Sequence, residues 1–200
     1  MSDLFCVATE GEGHRLVAAG LEVLVTGVGP VNAACALARR LAAGGITRVL
    51  SCGIGGAYPG SGLAVGDVAC AATEEYGDLG VETDDAFLTL PALGFPLVPE
   101  APDDAARFEL ALRPLDRAVA FVTCSTCTGT DARAQELVAR TGGAVESMEG
   151  AAIVHVGARF GLPVGEVRGI SNLVGKRDRD AWRIPEAIEA AEEALLAWLG

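Results

Sequence analysis

Histidine is nearly absent from this 200-residue chain: His14 and His155 are the only two, so no histidine-rich metal site can be built. Basic residues are in deficit, with 15 Lys and Arg against 27 Asp and Glu and a formal net charge of −12. A phosphate backbone needs a dense basic surface, so this balance excludes a nucleic-acid partner. It favours solubility and small-molecule work. Long apolar runs are missing too, and no window reaches the roughly 18 charge-free apolar residues that a membrane span needs. The first residues, MSDLFCVATEGEG, hold an early acid and too short an apolar run for a secretory signal. A cytoplasmic protein with no membrane partner is expected. No repeat, charge run or Ser/Gly tract marks a linker. Half of the residues are apolar, so 1–200 is expected as a single domain with a real core.

Six cysteines are present, scattered mostly within apolar runs such as VLSC and VGDVAC. In a reducing compartment they read as small buried apolar side chains. Cys124 and Cys127 form a lone CxxC, a poor zinc site without a second pair. No metal and no cofactor is expected.

Short β-branched runs bounded by Gly or Pro predict strands at 4–8, 21–26, 47–53, 65–72, 117–124 and 163–170. Helical spacing predicts helices at 31–43, 131–140, 148–160 and 184–199, the last with Ile184, Ile188, Ala191, Leu195 and Leu199 on one stripe. Strands alternating with helices give a three-layer α/β fold around a mainly parallel sheet. Residues 90–104 hold four of the nine prolines and read as a loop, with Leu93, Phe95, Leu97 and Val98 exposed on it. TGVGPVNAA (26–34) reads GxGxxN after a strand and could be a dinucleotide turn. The acid such a turn wants about 20 residues on is missing, because Thr47-Arg48-Val49-Leu50 stands there. A close-packed strand–helix turn is the better reading.

Three segments carry the chemistry: ATEGE (8–12), VESMEGAA (145–152) and RGISNLVG (168–175). Each lies where an apolar run stops, and ligands collect at strand ends in open α/β sheets. In order and wording these motifs resemble the purine nucleosidase and nucleoside phosphorylase family. The resemblance runs over most of the chain and is weakest from about Asp84 to Arg117. It implies a nucleoside-phosphorylase-like three-layer fold, with a mixed, mainly parallel sheet flanked by helices. It also implies cleavage of an N-glycosidic bond and a homo-oligomer, dimeric or dimer-based, whose partner is a small nucleoside.

Such cleavage needs a stabilised leaving purine, a held ribosyl cation and an activated nucleophile. By resemblance, Glu12 activates water, and two acids at Glu10 and Glu12 would repel phosphate, which favours hydrolysis. Glu10 itself reads as a solvated acid, and Arg15 is the nearby cation. Glu149 would accept from the 2′ and 3′ hydroxyls of the ribose, with Met148 as a soft wall beside it. Glu146 is a rival carboxylate with a poorer match. Asn172 would take the purine: its amide can accept from N7–H and donate to O6, the pattern of a 6-oxopurine such as hypoxanthine. Relatives that cleave adenine carry Asp at the matching place. An Asn after a strand also serves as an ordinary loop cap.

SCGIGGAY (51–58) reads as a Gly-rich loop after a strand and, by resemblance, brings Ile54 and Gly55 to the ligand, with Ser171 opposite in GISN. TCSTCTGTD (123–131), with Thr128, matches the loop over the purine face but lacks the aromatic that stacks there in several relatives. GKRDRDAWRIPEA (175–187) packs Lys176, Arg177, Arg179 and Arg183 into an acidic chain. Arg177 and its neighbours suit a substrate carboxylate; they also suit a solvated helix start paired with Asp178 and Asp180. The leading expectation is an N-ribosyl hydrolase releasing hypoxanthine. Another purine nucleosidase or phosphorylase, of the methylthioadenosine type for example, is the alternative within the family. A non-catalytic nucleoside-binding protein is the alternative outside it.

Overall fold

The computed structural model describes residues 2–99 and 106–200. The chain alternates as expected: β1 (Ser2–Val7), α1 (His14–Ala18), β2 (Val23–Val25), α2 (Pro30–Ala42), β3 (Ile46–Ala57) and β4 (Val68–Tyr76). There follow β5 (Gly80–Glu82), β6 (Phe87–Thr89), β7 (Arg107–Glu109), β8 (Ala118–Thr123), α3 (Asp131–Thr141) and β9 (Val145–Ser147). The last three are α4 (Gly150–Arg159), β10 (Val164–Leu173) and α5 (Ile184–Leu199). Every expected strand and helix is present. The short strands β5, β6, β7 and β9 were not anticipated, because three residues are too few to show a period.

The sheet is mixed. β1 pairs in parallel with β2 and β3, and β3 with β10; β4–β8 and β8–β9 are parallel as well. β10 meets β4, and β3 meets β9, in antiparallel register. The path β3–β10–β4–β8–β9 therefore returns to β3 and closes on itself, which leaves β1 and β2 as an extension beside β3 and β7 as a short strand on β4. Closure is possible because β3 is long: its first half pairs β1, and its end, Gly56 and Ala57, pairs Glu146 and Val145 of β9.

Side-chain alternation makes the layers. Along β1, Leu4 and Cys6 join Leu37 and Leu41 of α2 and Ile153 of α4 in one core. Phe5 and Val7 point the other way and pack with Leu16 of α1 and Ala191 and Leu195 of α5. The same parity holds on β3, where Val49 belongs to the first core and Leu50 and Cys52 to the second.

Three expectations need correction. SCGIGGA is not a loop but the end of β3, and Ser171 and Asn172 lie within β10, paired alongside it. Residues 90–99 do form a loop, with a 3-10 turn at Pro91–Leu93; 100–104 lie outside the described residues. On that loop Phe95 is exposed at 63 %, but Leu97 and Val98 are buried in the first core, pinned where His155 meets the Leu97 carbonyl at 2.6 Å. Proline content marked the loop correctly but carries no information about which of its apolar residues fold back. Among the cysteines, Cys6, Cys52, Cys70 and Cys124 are buried, Cys127 is half-buried and Cys35 is exposed.

Candidate active site

The parallel strands β1, β3 and β10 end side by side, and a cavity of about 510 Å³ opens where they do. Nine of the residues singled out from the sequence line it: Glu12, Ile54, Gly55, Thr128, Met148, Glu149, Ser171, Asn172 and Arg177. They come from segments spread over 165 positions of chain, so only the fold unites them.

Glu12 sits in the 3-10 turn after β1 and is buried at 6 % exposure. Its Oε2 accepts from both the backbone N–H (2.8 Å) and the hydroxyl (2.9 Å) of Thr9, which locks the side chain. Oε1 takes one longer bond, from Ile54 N at 3.3 Å, and keeps acceptor capacity for a water. Glu10 is exposed and absent from the cavity wall, as its reading as a solvated acid requires. Arg15 is also absent from the wall; it pairs with Glu193 at 3.9 Å.

Glu149 precedes α4, and its Oε1 accepts from Gly29 N at 2.9 Å. Gly29 has φ +94°, which favours glycine and turns its N–H toward the carboxylate. The GxG turn thus has a structural part that its sequence did not disclose: it braces Glu149, and Val28 beside it lines the cavity. Burial raises the Glu149 pKa, with Arg168 and the Gly29 N–H pulling the other way.

Arg168, not singled out from the sequence, is the buried charge that joins the acids beside the cavity. It is 1 % exposed, bonds Glu166 Oε1 through Nε at 2.8 Å, and lies 3.7 Å from Glu149 Oε2 through Nη1. Nη2 donates to Ser51 Oγ at 3.0 Å and Nη1 to the Ile54 carbonyl at 3.4 Å. Burial disfavours its charge, but Glu166, Glu149 and Glu12 outweigh burial and raise its pKa. A Cβ on Gly53 would lie 2.7 Å from both Arg168 Nη1 and Glu12 Oε1, so this glycine admits the charged pair rather than a ligand. One signal was available: Glu166 and Arg168 share one face of an otherwise apolar strand, where charges occur only when paired.

Asn172 and Ser171 face β3 at a register shift. Ser171 Oγ donates to Asn172 Oδ1 at 2.8 Å, and Asn172 Nδ2 donates to the Leu173 carbonyl at 3.1 Å. Each amide atom retains one further bonding position, which is what reading a purine edge demands. Glu146, the rival carboxylate, is consumed internally. It accepts from Tyr58 OH (2.7 Å), Thr128 N (2.8 Å) and Thr128 Oγ1 (2.6 Å), tying the 124–130 loop to the sheet.

Arg177 and Arg179 line the cavity, whereas Lys176 and Arg183 do not. Trp182 is the one aromatic among the lining residues, and the Arg177 guanidinium lies 5.2 Å from its ring centroid. Ile184 and Ile188 of α5, read from the sequence as core positions, also face the cavity.

The phosphorylase superfamily profile matches residues 10–199. Futalosine hydrolase of Streptomyces coelicolor is 41% identical over 192 residues, covering 91% of this chain and 79% of that protein. Futalosine hydrolase of Thermus thermophilus is 35% identical over 185 residues, covering 88% and 80%. In fold, the chain is similar to the Streptococcus pneumoniae MTA/SAH nucleosidase in complex with 8-aminoadenine, with a TM-score of 0.82, 21% identity and coverage of 100% and 99%. It is likewise similar to the native futalosine hydrolase of Helicobacter pylori, with a TM-score of 0.81, 16% identity and coverage of 98% and 96%.

Proposed function

The chain belongs to the phosphorylase superfamily, and from that premise we propose that it is a hydrolase cleaving the N-glycosidic bond of futalosine, in menaquinone biosynthesis. The products are hypoxanthine and dehypoxanthine futalosine. What carries the reading is the single cavity in which a locked Glu12, a braced Glu149 and the Asn172 amide stand together.

The residues divide the work as follows. Glu12 Oε1 holds a water and takes its proton as the water oxygen bonds to the anomeric carbon. Glu149 accepts from the ribose hydroxyls and places negative charge near the developing oxocarbenium. The electron pair of the broken bond leaves on the purine, which takes up a proton from solvent at N7 as it departs while Glu12 returns its own to solvent; Asn172 accepts from that N7–H and donates to O6. Met148, Ile54 and Gly55 shape the sugar and base walls, Ser171 orients Asn172, and Thr128 anchors the loop over the base. Trp182 and Ile188 add apolar surface, so the missing aromatic of the 124–130 loop has a substitute on another segment.

Water rather than phosphate is the nucleophile on this reading. The cation nearest Glu12 and Glu149 is Arg168, whose charge is already shared with Glu166 and Glu149, and Arg15 is not in the wall. Arg177 and Arg179 suit the carboxylate on the aromatic tail of futalosine. The reading extends to a cytoplasmic homo-oligomer. Val28 and Val31, 50 % and 73 % exposed beside the cavity, support a partner subunit there.

The test is hypoxanthine release from futalosine, inosine and methylthioadenosine, with and without phosphate. Phosphate-independent release from futalosine is expected. Phosphate-dependent release would make the protein a phosphorylase, and tight binding without release would make it a nucleoside-binding protein.

A further inference from the structure

Where the first turn of α4 meets the sheet, two glutamates that line no part of the cavity are completely buried: Glu74 on β4 and Glu166 on β10, both 0 % exposed. Each has one oxygen satisfied. Glu74 Oε1 accepts from Thr123 Oγ1 at 2.8 Å, and Glu166 Oε1 accepts from Arg168 Nε at 2.8 Å. The other oxygen of each, Oε2, has no donor. Thr123 Oγ1, which holds Glu74, also accepts from Ala151 N at 2.8 Å, so both carboxyls converge on the first turn of α4, where a bond between them would need a hydrogen that two ionised carboxylates lack. Gly150 makes the room, since a Cβ there would lie 2.4 Å from Glu166 Oε2.

Two orphaned acceptors brought to one place lack one hydrogen. We infer that Glu74 and Glu166 share a single proton at neutral pH, and that this proton-bridged pair is a positioning device that aims Arg168 at Glu149 and at the Ile54 backbone beside Glu12. Full ionisation would set two buried like charges against a guanidinium already shared with Glu149, a strongly unfavourable arrangement. One proton leaves the pair with a single negative charge, enough to hold Arg168 by its Nε and fix the plane of its fork. The Nη atoms then reach Ser51, Ile54 and Glu149 without further choice. The groups facing the pair are Arg168 on β10, Thr123 on β8, Tyr76 on β4, and Glu149 before α4, with Glu12 beyond Arg168. Burial, with Glu166 as its neighbour, drives the Glu74 pKa well up.

Only the kinetic arm of the test rests on the proposed function. The first arm is infrared spectroscopy of the whole protein without substrate. A protonated-carboxyl band is expected at neutral pH and should be lost in the difference spectrum of Glu74→Gln, whose amide supplies the donor permanently. An unchanged band in that variant, or no such band in the wild type, overturns the shared proton. The second arm compares Glu166→Ala with Glu166→Gln. The alanine variant should lose about tenfold or more in kcat with KM nearly unchanged. The glutamine, which accepts from Arg168 Nε and donates to an ionised Glu74, should restore most of it. Equal losses in the two variants overturn the positioning role. A wild type that releases no base sinks the functional reading alone, because the infrared arm stands without it.

Discussion

At the scale of single residues, the site works by using up one side of each functional group and leaving the other free. Glu12 spends Oε2 on Thr9 and keeps acceptor capacity on Oε1, where the proposed function puts the water. Glu12→Gln should therefore lower kcat for base release by about 10²–10⁴-fold, the usual worth of a positioned general base, while leaving the substrate Kd within a few-fold. Full activity in that variant would move the base elsewhere, with Glu10 the first suspect. Asn172 is arranged in the same way, with Ser171 holding its oxygen and the Leu173 carbonyl one of its hydrogens. An aspartate there would face a purine O6 with like polarity and no donor. Asn172→Asp should cost hypoxanthine release about 1–3 kcal/mol, which is about ten- to hundredfold in specificity. The measurement is kcat/KM on a 6-oxo and a 6-amino nucleoside sharing one 5′ group. An unchanged ratio would mean that Asn172 does not read the base.

Elements matter through how closely they approach. Helix α5 lies so near β10 that a Cβ on Gly169 would fall 1.9 Å from the Ala187 carbonyl oxygen. Gly169 follows Arg168 and precedes Ile170, so the same contact that seats the helix fixes the strand carrying the site. Gly169→Ala must push α5 outward, and overpacking of this kind costs about 1–3 kcal/mol or more. A lower urea midpoint with an unchanged slope is the expected result; full wild-type stability would show that α5 shifts freely. Because Trp182, Ile184 and Ile188 belong to or lead into α5 and line the cavity, KM should rise together with the loss of stability.

For the molecule as a whole, buried carboxyls tie stability to pH. The Glu149 pKa is raised by burial, so the folded state keeps a proton that the unfolded chain releases. Stability is then lost as pH rises from the ordinary glutamate value of 4.5 through the raised one, while activity, if Glu149 grips the ribose as proposed, should be gained over the same window. Glu149→Gln should be inactive yet melt higher than the wild type, by a margin that widens across that window; thermal melts at stepped pH will show it. A constant margin would mean that Glu149 is ionised throughout. No helix among the described residues is long and apolar enough to cross a membrane. The exposed Val25, Val28 and Val31, with Phe95, leave apolar surface that a second copy would cover. Sedimentation at micromolar concentration should find a dimer or a multiple of it, and a clean monomer would refute the expectation.

By itself the sequence determined what local pattern can encode. The short apolar run LFCVA and helical spacing in 184–199 each named an element, and the ATEGE, MEGAA and GISN strings marked the residues that meet in the cavity. It did not determine where those elements end when neighbours decide: SCGIGGA continues as strand only because β10 and β9 pair with it. Nor could it show that a GxG turn braces Glu149, that Leu97 and Val98 fold inward, or that Arg168 stands among three carboxylates. Those facts arise from contacts between residues as much as 120 positions apart, as with Gly29 and Glu149, and a charge inside an apolar strand acquires meaning only from the partners the closed sheet brings to it.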